Sequence, residues 1–111
     1  MKIKISTDFS RIPGARFSSE GDFPGEDFRE KVLLPKLKEA ISKNEKLEID
    51  LDGTAGLGTS FLEESFGGLI RVNQIKYNEI INTIKIISIN DPDYIIEIND
   101  YLKEAYEKES N

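Results

Sequence analysis

The chain of 111 residues contains no cysteine and no histidine. Without cysteine, neither a disulfide framework nor a thiolate metal site is available. Without histidine, the commonest general base and the commonest transition-metal ligand are both missing. Any catalysis would have to rest on carboxylates, lysine, tyrosine or hydroxyls. No apolar run approaches the length of a membrane span. The opening MKIKISTDF carries charge but no apolar h-region of a signal peptide, so the cytoplasm is the expected location. Basic residues are few as well: 15 Lys and Arg stand against 21 Asp and Glu, a net charge of −6. Nucleic-acid affinity rests on neutralising phosphates, so an acidic chain with no basic stripe excludes nucleic acid as the expected partner.

What is present is ordinary material for one small domain, residues 1–111, with the last stretch from 105 expected to fray. Much of the negative charge sits in residues 91–111, which hold seven acids against Lys103 and Lys108. Lys2 to Ser6 alternates isoleucine with polar residues and reads as a strand. Pro13-Gly14 marks a turn, and residues 15–19 are a weak second strand candidate. A helical period runs from Glu26 to Lys43, with Leu33, Leu37, Ala40 and Ile41 on one face and Pro35 expected to kink or divide it.

The chain is organised around residues 47–69, LEIDLDGTAGLGTSFLEESFGGL. Leu47, Ile49 and Leu51 alternate with acids as a strand, and Gly53, Gly56 and Gly58 form a turn. A helix is then expected over 60–73, its start marked by a Ser60-x-x-Glu63 capping box. Residues 74–82 are expected to extend this helix or lie against the core. TIKIISI, 83–89, reads as a strand covered on both faces. Asp91-Pro92 is expected to open a last helix whose buried stripe is Ile95, Ile98, Leu102 and Ala105. Strands alternating with about three helices predict a small layered α/β domain, its later strands parallel and joined by right-handed crossovers.

Several chemistries can be weighed from the residues themselves. Gly53 to Ser60 approaches the phosphate loop G-x-x-x-x-G-K-[ST], but Thr59 stands where the lysine belongs, so NTP hydrolysis is not expected. Ser60 has no histidine to activate it as a nucleophile. Asp50, Asp52, Glu63 and Glu64 form the alternative reading, a small ion- or nucleotide-binding domain or enzyme, although their spacing matches no Ca²⁺ loop. Thr59 and Ser60 at a helix start are candidate phosphoacceptors, against the plainer reading of cap residues. Gly67-Gly68 suggests close approach of another element or a partner.

The strand end D-x-D-G, the glycine turn and T-S-F-L-E-E-S-F-G resemble the STAS-like family of small bacterial and phage proteins. Pro13-Gly14-x-Arg16, Gly25-Glu26-x-Phe28-Arg29 and Leu34-Pro35-x-Leu37 resemble that family's opening segment. The resemblance implies a STAS-like fold with a mixed or mostly parallel sheet of three to four strands. It also implies a non-enzymatic, regulatory role in signalling, without cofactors. In related anti-sigma-factor antagonists the helix begins D-S-S-G, and its first serine is phosphorylated by an anti-sigma kinase. Thr59 takes that position here and Ser60 the next, with Gly58 and Phe61 in the places of the Asp and the Gly. A GHKL-type, histidine-kinase-like ATPase is the partner the resemblance implies. The expected contact residues are Gly58, Thr59, Ser60, Phe61, Glu64, Gly67, Gly68 and Arg71, in a monomer or weak homodimer. A homo-oligomeric structural protein is the plainest alternative.

Overall fold

Alternation of apolar and polar residues produces three short strands, β1 (Lys2–Lys4), β2 (Leu47–Asp50) and β3 (Ile84–Ile87). The computed structural model describes residues 1–109. In it the strands form one sheet in the order β1-β2-β3, every pair parallel. The register places Ile3, Ile49 and Ile86 in one row and Leu47 beside Ile84, which makes one face apolar. The neighbouring rows, Lys2–Glu48–Lys85 and Lys4–Asp50–Ile87, belong to the other face. Lys85 is exposed, so β3 is not covered on both faces as its composition suggests. The sheet has a single helical layer, and its polar face accepts charged residues.

Between the strands run α1 (Ile5–Asp8), α2 (residues 25–43), α3 (residues 59–71) and α4 (Tyr77–Thr83), and α5 (Asp93–Glu109) closes the chain. The three long helices are the expected ones, and the single turn of α1 and the short α4 are additional. In α2 the segments Gly25–Phe28, Arg29–Leu33 and Leu34–Lys43 follow one another with helical dihedrals at the joins. Proline 35 does not divide this helix. The Leu34 N–H instead reaches back five residues to the Arg29 carbonyl, a π turn directly ahead of the residue that has no N–H to give. Asn44, in the left-handed conformation, ends α2 where expected.

Residues 15–19 are not a strand. Ala15 and Phe23 both adopt positive φ, and the segment folds back on itself through Gly14 N–H to Phe23 C=O and Gly25 N–H to Ala15 C=O. A 3-10 turn, Ser18–Glu20, lies between them. Nor does α3 continue through 74–82. Gln74 turns left-handed, Ile75 N–H closes on Leu69 C=O, and the chain restarts as α4. Of the two expectations for this stretch, lying against the core is the one realised, with Ile80 fully buried and Tyr77 stacked on Tyr106 at 4.8 Å.

Asp91 serves the start of α5 as expected, its carboxylate accepting from Asp93 N–H at 3.2 Å. Ile98, Leu102 and Ala105 are buried along that helix, with Ile95 half-buried. The helix continues through Glu109, and the part of the expected fray at 110–111 lies outside the described residues. Among the described residues no helix is long and apolar enough to cross a membrane.

Candidate docking site at the strand ends

Because all three strands are parallel, the loops that follow them gather at one end of the sheet. This is where open parallel sheets usually place their sites. The loop after β2 is held rigidly. Asp50 pairs with Lys4 Nζ at 3.2 Å and accepts from Asp52 N–H at 2.9 Å. The Asp52 carboxylate in turn accepts from Ile89 N–H at 3.0 Å and Asn90 N–H at 2.9 Å, tying this loop to the one after β3. Those two bonds, Asn90 first, hold the Asp52 carboxyl below its ordinary pKa.

The turn itself needs glycine at one position in particular. Gly53 has φ +94°, and a Cβ there would meet Ser6 Oγ at 2.9 Å. Ala55 N–H donates to Arg11 C=O at 2.7 Å, and Leu57 N–H to the Tyr94 hydroxyl at 3.0 Å. The 53–58 turn is therefore fastened to the chain on both sides. It delivers Gly58, Thr59 and Ser60 to the surface, all three exposed. Burial pushes the Tyr101 phenol pKa up, against the opposing effect of a hydrogen bond with the Thr59 side chain.

Two large apolar side chains flank this turn in solvent. Ile12 is 66% exposed, beside the Arg11 carbonyl that holds Ala55, and Ile89 is 78% exposed, beside the Asp52 carboxylate. Ile12 is a lone isoleucine in a polar loop and does not stand out in the sequence, whereas Ile89 reads there as the last residue of a strand covered on both faces; the strand ends at Ile87 and leaves it in solvent.

The expected capping box is not formed. The helix starts at Thr59 with Gly58 as an extended N-cap, and no side chain caps it. Ser60 thus lies inside the first turn, and Glu63 turns away to Arg16 and Arg71. Burial pushes the Glu63 pKa up, but hydrogen bonds from Arg16 and Arg71 and their charges outweigh it, leaving the carboxyl below its usual range.

Four of the other expected contact residues face inward. Phe61 is fully buried, its ring stacked 5.7 Å from Phe28 beneath Phe9. Glu64 is also buried, paired with Arg29, with Arg16 at 3.3 Å and with Arg71 at 3.1 Å. Arg29 Nη1 also donates to the Glu64 carbonyl at 2.7 Å. The helix passes through a second π turn here, Glu63–Gly67, in which Gly68 N–H reaches the Glu63 carbonyl five residues back. Gly67 and Gly68 accommodate this cluster. A Cβ on Gly68 would meet the Arg29 guanidinium carbon at 2.9 Å, and one on Gly67 the Glu63 carboxylate. The close approach is internal packing. Arg71 remains partly exposed but is committed to Glu63 and Glu64.

The carboxylates of the alternative reading fall into two networks. Asp50 and Asp52 brace the strand-end loops, while Glu63 and Glu64 serve the arginine cluster. Among the described residues no group of three or more acidic side chains is arranged to hold a metal ion. The geometry does not assemble a four-carboxylate site.

Fold and site together define a small α/β domain whose exposed helix start is presented at the ends of a parallel sheet. A family model described as a STAS-like domain of unknown function matches residues 24–94, from the start of α2 to the start of α5. The chain belongs to that STAS-like family. No curated protein matches it, and no solved structure does.

Proposed function

We propose that this chain is a non-enzymatic regulatory module that binds a protein partner through the strand-end face. The observation that carries this reading is the pairing of exposed apolar and hydroxyl side chains on braced loops. Ile12 and Ile89 stand in solvent on either side of the turn that presents Gly58, Thr59 and Ser60. Exposed apolar groups on a rigid frame are what a partner desolvates at low entropic cost. Thr59 and Ser60 are the candidate switch. A phosphate on either would add roughly −2 charge at the uncapped start of α3, beside the Tyr101 hydroxyl in the case of Thr59. The family resemblance supports a GHKL-type ATPase as the partner.

The experiment is affinity capture with the tagged chain from its native host, followed by titration of the recovered partner against wild type and Ser60→Glu. A drop of at least tenfold in affinity, with an unchanged circular dichroism spectrum, is the expected result. Equal affinity in the two proteins would overturn the reading.

A further inference from the structure

We infer that β3 pairs with β3 of a second copy, joining two three-stranded sheets edge to edge in a twofold dimer. The two edges of the sheet differ in kind. On the β1 side, Lys36 Nζ caps the Lys2 carbonyl at 3.2 Å and Asp8 accepts from Lys4 N–H at 2.7 Å, so the outer backbone groups are occupied. On the β3 side they are open. Leu51 N–H bonds the Ile87 carbonyl, which turns Lys85 and Ile87 toward β2 and leaves Ile84 and Ile86 directed outward; Ser88, just past the strand, is buried. The Ile84 N–H closes α4 on Ile80, but among the described residues the Ile84 carbonyl and both backbone groups of Ile86 meet no donor or acceptor.

Burial follows the same asymmetry. In the row Ile3–Ile49–Ile86 the first two side chains are fully buried, and Ile86 is left half-open at the edge. Ile81, at the end of α4 just before this strand, is also exposed. Natural proteins guard such an edge, and this one is guarded at β1 only.

The open edge is complementary to itself. About an axis at Ile86, antiparallel pairing lets Ile86 exchange both of its hydrogen bonds with its own copy. The register sets Lys85 opposite Ile87, so no like charges stand directly across the joint. On the apolar face Ile84 and Ile86 of the two copies become neighbours. A β1–β1 joint would instead bring lysines 2 and 4 together.

Since the chain has no cysteine, one introduced thiol reports the geometry. Residues facing each other in a hydrogen-bonded antiparallel pair lie about 5.5 Å apart at Cα, within disulfide reach. Ile86→Cys is expected to oxidise to a covalent dimer, and Lys2→Cys on the opposite edge is expected to stay monomeric. Light scattering of the wild-type chain should show its mass rising toward twice the monomer value with concentration. Ile86→Pro, lacking the outward donor, should hold the monomer mass. If that variant unfolds, the cysteine pair decides. A monomer at every concentration with no covalent dimer would overturn the inference, and so would equal cross-linking of both cysteine variants.

Discussion

At the scale of single residues, the arginine cluster carries the largest identifiable stake. Arg29 and Glu64 each expose only 3% of their side chains, and Arg29 also bonds Glu30 at 3.1 Å. Breaking a buried pair leaves an uncompensated charge, which typically costs about 3–5 kcal/mol. Arg29→Met should therefore lower the urea midpoint sharply, and Arg29→Met with Glu64→Leu should recover part of the loss. An unchanged midpoint in the single variant would contradict the account. Glu63 adds a pH dependence. Its carboxyl is held below the ordinary value, so the unfolded chain binds more protons in the acid window. That stability is present above the unfolded pKa, about 4.3, and is lost as pH falls through the lower folded value. Glu63→Gln should flatten the acid limb of a stability-against-pH profile. A limb as steep as in wild type would show that other carboxylates set it.

At the scale of elements, two π turns decide where side chains point. Each breaks the 3.6-residue period, so face assignments made on a straight helix drift beyond them. Glu64 precedes that drift: it reads in the sequence as a surface residue and lies in the core because α3 is packed by α2, through Arg29, as well as by α5. The apolar stripes themselves were legible, since Leu33, Leu37, Phe66 and Leu69 are all fully buried. Strand β2 and the end of α2 at Asn44 were legible for the same reason: period and turn chemistry are local. The fold-back at Ala15 and Phe23 was not, because neither residue favours positive φ and only long-range contacts impose it. The glycines of α3 give a direct check. Gly68→Ala should destabilise by about 1–3 kcal/mol, because Arg29 occupies the space. Gly58→Ala meets nothing within 4 Å and should cost below about 0.5 kcal/mol, comparable to other surface changes. Equal losses at the two positions, read from thermal unfolding, would remove the packing explanation.

At the scale of the whole molecule, an all-parallel sheet with one helical layer separates structural from presenting surfaces. The arginine cluster locks α2 to α3, and the strand-end loops are braced by Asp50, Asp52 and Tyr94. What those loops hold out is Ile12, Thr59, Ser60 and Ile89. The glycine turn and helix start were readable from residues 47–69, whereas the two isoleucines came into view only when three loops met in space. The central claim is that this face binds a protein partner. Its most direct test is the affinity of the captured partner for wild type, Ile12→Ser, Ile89→Ser and Ser60→Glu, compared with Lys38→Ser on the exposed side of α2. The account predicts at least tenfold weakening for each of the first three variants and none for Lys38→Ser, all proteins remaining folded. Affinities unchanged at Ile12, Ile89 and Ser60 would contradict it.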